Sequence, residues 1–387
     1  MSEVNIRQKT ANRRSKRAQI KPVLSPLDIL EITGKKYKKA VKEAKPLFTW
    51  FSLTNACDLR CRLCYADSSK KLKGELTTEK VFQIIDNIAE AGTVSVIFGG
   101  GEPTLRKDLL EIVRYTSQFM NAAINTNGHL FAEQPEYLNR LVNAGLSQVK
   151  ISVDGLKASH DWNRGRGSFD KTMKALENCK KAGVPQIILI MTATKMNCHE
   201  IPRLMNLAVN LGADFCMVEF VPTGRGKNEP DQVLTMEQRK EMFKFLHNAQ
   251  KVNTKGKIQF ENRYIIAEDK KCMDICCDSN APCGFYDFSV GCITGIYQYC
   301  ISATGKVIAG DVFVPELEVG DLTRERLSDI WRNSEKLKSL RNREDLKGKC
   351  GSCAYRFVCG GCRRRAYTFT GDLMGEDPAC WLPDTIL

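Results

Sequence analysis

The sequence predicts an α/β fold in two parts, a run of parallel strand–helix units followed by a smaller, loop-rich domain. Three observations predict it. Between about residues 49 and 221, short apolar runs alternate with amphipathic helical stretches, the pattern of parallel βα units. Beyond that region helical periodicity fades, apart from Arg324 to Arg341. Glycines and cysteines accumulate instead, and 11 of the 17 cysteines lie in residues 272–380, a density that suits a domain held by metal rather than by a large apolar core.

The strands are expected at Thr49 to Thr54, Val94 to Phe98, Ala122 to Thr126, Val149 to Val153, Ile187 to Ala193 and Phe215 to Val221. Helices between them carry clear punctuation. Thr78 opens one that Gly92 closes, Pro135 starts one that ends by Gly145, Phe169 to Ala182 stops at Gly183, and a further stretch covers Thr235 to Asn248. This divides the chain into an N-terminal arm (1–45), the βα region (46–255) and the second domain (256–387). Each motif with chemical promise begins at the C-terminal end of a strand, the face where barrels of parallel strands build their active sites.

Composition is that of a globular protein, with 43% apolar and 27% charged residues, which excludes wholesale disorder. The net charge of +13 is local. Residues 1–45 hold 13 Lys and Arg against 4 Asp and Glu, a net +9, leaving +4 for the other 342 residues. The runs Arg13–Arg17 and Lys35–Lys39 lack the aromatic interleaving of RNA-binding segments, which argues against nucleic acid. The arm is expected either to be solvated or partly disordered, or to dock on an acidic partner or anionic substrate. No run approaches the ~18 apolar residues of a membrane span, and the basic N-terminus has no signal-peptide core. A cytoplasmic location follows, and in that reducing compartment 17 cysteines point to metal rather than to disulfides.

The segment Leu53–Tyr65 follows the first strand and places Cys57, Cys61 and Cys64 in the pattern C-x3-C-x2-C. Three thiolates on one tight loop can hold three irons of a cubane and leave the fourth iron without a protein ligand. A zinc site wants four ligands at paired C-x2-C spacing, and no fourth Cys or His lies nearby.

This pattern resembles the radical S-adenosylmethionine (radical SAM) superfamily, in which an aromatic residue usually precedes the last cysteine; here Leu63 stands there and Tyr65 follows the motif. Phe98-Gly99-Gly100-Gly101-Glu102-Pro103 is similar to the family's Gly-Gly-Glu-Pro loop, whose glycines let backbone approach the cofactor's amino group while the acid caps it. Thr126-Asn127-Gly128 and Ser152-Val153-Asp154-Gly155 end the third and fourth strands, where the family sets hydroxyl and carboxylate groups on the ribose. Arg164 is similar to the family arginine that pairs with the cofactor carboxylate, a contact suited to guanidinium. Thr192 and Asn197 are further candidates. Any one of these could be only a turn residue at a strand end, but their joint order and spacing is not that of turns. The resemblance covers roughly residues 47–225. It implies a partial, TIM-like (β/α)6 barrel, catalytic Cys57, Cys61 and Cys64 on a 4Fe-4S cluster, SAM bound by Gly100, Gly101, Glu102, Thr126, Ser152, Asp154 and Arg164, an electron donor such as ferredoxin or flavodoxin, and a 5′-deoxyadenosyl radical that abstracts a substrate hydrogen.

Toward the C-terminus, Cys350-x2-Cys353-x5-Cys359-x2-Cys362 precedes Cys380. Two C-x2-C pairs indicate metal, and zinc would also suit them. The spacing resembles the SPASM extension, a small loop-rich module that adds one or two auxiliary iron–sulfur clusters. On that likeness Cys350, Cys353, Cys359 and Cys380 ligate one cluster and Cys362 another, although the gap before Cys362 is two residues rather than the usual three. Cys292 matches the first ligand of the nearer cluster. The second is missing: its place falls on Gly310 or Asp311, so Asp311 supplies an oxygen, Cys283 or Cys300 substitutes, or one iron stays open. Cys272, Cys276, Cys277 and Cys283 have no counterpart and read as extra ligands, thiols near the active site or plain loop residues. Cys179, Cys198 and Cys216 read as core.

The stretches His160–Asp170, Val221–Gly226, Cys359–Tyr367 and Glu376–Pro378 resemble the radical SAM enzymes of alternative haem and haem-d-type synthesis. These decarboxylate or trim side chains of iron porphyrins, so the expected substrate is a tetrapyrrole, with Arg225, Arg363, Arg364 and Arg365 available to its carboxylates. The rival expectation is a peptide- or protein-modifying maturase. Many of those carry an N-terminal peptide-recognition domain, for which residues 1–45 are too short and polar. A non-catalytic electron-transfer protein would show degraded cofactor loops, and these are intact.

Overall fold

The computed structural model describes residues 26–252, 256–260, 291–310 and 315–382. Its centre is a ten-stranded sheet that runs from the edge strand Glu318–Asp321 (β10) to the edge strand Ile258–Phe260 (β7). Strands β1 (Phe48–Thr54), β2 (Ser95–Gly100), β3 (Asn121–Thr126), β4 (Leu146–Ser152), β5 (Gln186–Ala193) and β6 (Asp214–Glu219) pair in parallel, each with the next. They fall on the six expected positions, displaced by at most three residues at either end. Among the described residues no pairing joins β10 to β7, so the barrel is partial.

Period-two alternation divides each strand between two environments. On β5, Ile187, Leu189 and Met191 enter the core beneath the helices, while Ile190 and Thr192 line the opposite, concave side. Helix Thr78–Glu90 covers the outer face with Val81, Ile84, Ile85 and Ile88, all buried at helical spacing. Its N-cap is Thr77, whose hydroxyl accepts from Lys80 N. Helices Pro135–Asn143, Ser168–Lys181 and Met236–Val252 match the expected ones.

Three features differ from the expectation. Part of the supposed arm is helix Pro26–Lys42, with Tyr37 and Ala40 buried against Ile296, Tyr297 and Phe357. The stretch Arg324 to Arg341 forms two helices, Leu327–Asn333 and Glu335–Arg341, because Ser334 is extended and caps the second. The sheet also continues past residue 255. β7 (Ile258–Phe260) extends it beyond β6, and β8 (Gln298–Ile301) pairs in parallel with β1, followed by the antiparallel strands β9 (Lys306–Ile308) and β10 (Glu318–Asp321).

Candidate active site and cluster-binding cysteines

One cleft at the carboxyl ends of β1 to β6 is lined by Cys57, Cys61, Cys64, Gly100, Gly101, Glu102, Thr126, Ser152, Asp154 and Arg164, all ten residues expected there from the sequence. Thr192 also lines it. Asn197 does not. It is 1% exposed and braces the turn after β5, donating to the carbonyls of Asp154 and Thr192 and accepting from Thr194 N.

The cysteine loop is fixed from two sides. Gly101 N donates to Thr54 O and Glu102 N to Ala56 O, both at 2.8 Å. A Cβ on Gly101 would overlap the Ala56 carbonyl, so here the glycine serves the close approach of two protein loops. Opposite, Asn163 accepts from Arg62 N with its carbonyl and from Leu63 N with Oδ1, while its Nδ2 donates to Asp154 Oδ2 at 2.7 Å. Arg225 Nε donates to Cys61 O, and its terminal nitrogens reach Asp67 and Ser68. Of the two readings open for Arg225, a partner for substrate carboxylates or an ordinary backbone-binding or surface arginine, the structure shows it clamping this loop.

Glu102 is 1% exposed. Its Oε1 accepts from Thr104 N and from the Thr104 and Thr126 hydroxyls, and its Oε2 from Asn127 N. Burial pushes its carboxyl upward, against the pull of those donors. Asp154 is equally buried, and burial alone would raise it too. The Arg164 guanidinium, His160 and the Thr192 amide outweigh that and hold it below the usual carboxylate range. Arg164 gives only Nε to Asp154, at 2.7 Å. Its terminal nitrogens are engaged by no described residue, which leaves a fork in the cleft for a carboxylate.

Among the described residues no cysteine forms a disulfide, and the donors around the cysteines suit iron–sulfur ligation. Burial pushes the Cys57 thiol up to about 12, so in neutral water it becomes a thiolate only when a cation such as iron takes the proton's place. Leu59 N points at Cys57 Sγ (3.4 Å) and Ser68 N at Cys64 Sγ (3.5 Å). Among the described residues no three His, Cys, Asp or Glu side chains converge at single-ion spacing. A cubane does not require it, since each thiolate takes its own iron.

The second group is assembled likewise. Cys292 N donates to Cys359 O, Tyr355 N points at Cys353 Sγ, Gly361 N at Cys359 Sγ and Asp377 N at Cys350 Sγ. Cys362 N donates to Asp377 Oδ2, and Cys380 N to Asp377 O. Cys300 sits among Ile308, Leu317 and Trp50. Asp311, Cys272, Cys276, Cys277 and Cys283 lie outside the described residues. Of the cysteines read as core, Cys179 is fully buried, whereas Cys198 and Cys216 are partly exposed.

Sequence reasoning missed a buried chain beside the cleft. His129 Nε2 and His160 Nε2 both meet Ser168 Oγ, at 2.9 and 3.2 Å, and Asp154 N donates to His160 Nδ1. It also missed Glu219 on β6, which binds Arg239 and Arg365; Arg365 in turn pairs with Asp377. Arg365 is therefore an internal tie and not a substrate contact. Arg364 also lines the cleft.

A family model described as the radical SAM superfamily matches residues 51–208, and one described as an iron–sulfur cluster-binding domain, SPASM, matches 292–354. The chain is 36% identical to an AdoMet-dependent heme synthase of Methanosarcina barkeri, over 88% of its own length and 97% of the relative's. It is 31% identical to the same organism's Fe-coproporphyrin III synthase, over 88% and 89%. Streptococcus suis SuiB, solved with its precursor peptide SuiA, shares the fold with a TM-score of 0.69 at 17% identity, covering 98% of this chain and 88% of that one. The chain belongs to the radical SAM superfamily, and it is a SPASM-bearing enzyme that uses SAM, a 4Fe-4S cluster and auxiliary iron–sulfur clusters.

Proposed function

We propose that the enzyme acts on the propionate-type side chains of an iron porphyrin, removing carbon dioxide or a side-chain fragment in a route of haem synthesis. What supports the reading is the likeness to the heme synthase, which runs over 97% of that relative's length. When bound, SAM and the first cluster supply a 5′-deoxyadenosyl radical that abstracts a substrate hydrogen. The chain's own part is to place the reactants. Cys57, Cys61 and Cys64 would hold three irons. Arg164 would take the cofactor carboxylate on its two unengaged nitrogens, already aimed by Asp154. The Ser152 hydroxyl, with no bonded partner among the described residues, would meet the ribose. Leu59, Leu63, Ile190, Val218 and Phe220 line the cleft and exclude water. Arg364 lines the cleft, and its guanidinium would suit a substrate carboxylate. Cys350, Cys353, Cys359, Cys380, Cys362 and Cys292 would hold the auxiliary clusters, and a ferredoxin or flavodoxin in the cytoplasm would deliver the electron that the first cluster needs to cleave SAM.

The test is anaerobic incubation of the reconstituted enzyme with reductant, SAM and iron-coproporphyrin, read by mass spectrometry. The expected result is 5′-deoxyadenosine together with a porphyrin that has lost carbon dioxide, and neither product from Cys61→Ala. An unchanged porphyrin alongside cofactor cleavage would overturn the tetrapyrrole reading in favour of a peptide substrate.

A further inference from the structure

Among the described residues, Arg343 and Arg363 of the C-terminal module are almost fully buried without a carboxylate in ion-pair contact. Arg343 is 3% exposed and Arg363 4%. The terminal nitrogens of Arg343 donate to the carbonyls of Arg356, Phe357 and Cys292, and its guanidinium lies 4.3 Å from the Tyr37 ring centroid. Arg363 donates to the carbonyls of Leu373 and Gly375 and points a nitrogen at Cys350 Sγ, 3.6 Å away; its Nε has no partner. Among the described residues neither makes an ion pair. The nearby carboxylate of Asp372 is exposed and held by Lys347.

A buried cation without an anion costs several kcal/mol, so such groups are found with a counter-charge. Neutral carbonyls satisfy hydrogen bonds but do not cancel charge. Among the described residues, the thiolates of Cys292, Cys350 and Cys359 would be anions beside these two guanidinium groups once those residues ligate iron. The chain makes room for this arrangement. Gly360 and Gly361 lie between Cys359 and Cys362 with φ of +68° and +58°. A Cβ on Gly360 would meet the Arg343 guanidinium, and one on Gly361 would meet the Arg363 nitrogen and Cys350 Sγ. The glycine pair is the space in which the two cations approach the cysteines.

We infer that Arg343 and Arg363 are the fixed counter-charges of the auxiliary clusters and hold the reduction potentials of those clusters up. The inference rests on the assignment of Cys292, Cys350 and Cys359 as cluster ligands. A fixed positive charge favours the more negative, reduced cluster, so removing it makes reduction harder.

The test is potentiometric titration of the reconstituted holoenzyme, monitored by electron paramagnetic resonance, in Arg343→Gln, Arg363→Gln and the matching Lys variants. In the Gln variants the auxiliary midpoint should fall so that the reduced-to-oxidised ratio at the wild-type midpoint drops tenfold or more, about 59 mV for a one-electron couple. The Cys57–Cys61–Cys64 cluster should not move, and the Lys variants should stay near wild type. Loss of auxiliary iron in the Gln variants with retention in the Lys variants would equally support a charge role. Full iron with unmoved potentials in the Gln variants would overturn the inference, as would equal iron loss in Gln and Lys variants, which would mark a packing role. Wild-type iron sufficient for one cubane only would overturn the ligand assignment itself, a result distinct from unmoved potentials.

Discussion

Arg164 touches Asp154 through Nε alone, so its remaining donors decide how tightly the cofactor carboxylate is held. Arg164→Lys keeps the charge but loses the planar fork. The expected loss is one charge-assisted hydrogen bond, about 1.5–3 kcal/mol, or roughly ten- to hundredfold weaker SAM binding by calorimetry. His160 supplies a pH test. Burial, followed by the Arg164 charge, pulls its imidazole down to about 4 from an ordinary value near 6.5. The unfolded chain therefore takes up a proton in a window where the folded chain does not. Stability is full above pH 6.5 and falls as pH drops toward 4, by about 3 kcal/mol from this group. Denaturant titrations across that range should show the slope, and His160→Gln should flatten it. The thiols of the first loop were legible in the sequence because their spacing is local. Asn163 and His160 were not, because their partners Leu63, Asp154 and Ser168 meet them only through the fold.

At the scale of elements, strand positions were legible because apolar runs and glycine punctuation are also local signals. Helix Pro26–Lys42 was hidden by its charge. Lys35, Lys36, Lys38 and Lys39 are exposed, and the buried set Thr33, Tyr37 and Ala40 recurs at helical spacing with only one large apolar member. The break at Ser334 was hidden for a different reason, since the residues on both sides of it suit a helix and the capping geometry appears only in three dimensions. Among loops, the contact between Gly101 and Ala56 closely constrains the cysteine loop. Gly101→Ala must push the two loops apart, an overpacking cost of about 1–3 kcal/mol. The expected outcome is loss of the first cluster's iron and sulfide while the auxiliary content is retained, measured after reconstitution.

For the whole molecule, the tie between the βα region and the C-terminal module is a buried charge network. Arg239, Glu219, Arg365 and Asp377 are each 4% exposed or less. Glu219→Gln leaves Arg239 without its anion and Arg365 with Asp377 alone in a dry setting, and removing one partner of such a set costs about 3–5 kcal/mol. Chemical denaturation should show that loss, and Glu219→Asp should recover part of it. Nothing in the spacing of Glu219 and Arg365, which are 146 positions apart, disclosed the pair. The pairing of β8 with β1 was equally invisible, yet it has the wider consequence. The strand that carries the Cys57 loop is hydrogen-bonded on both sides, by β2 and by β8. A chain cut ahead of β8 would bare one flank of β1, a ready template for association with another chain. Strand β8 of the C-terminal module thus shields that flank of β1 from such association.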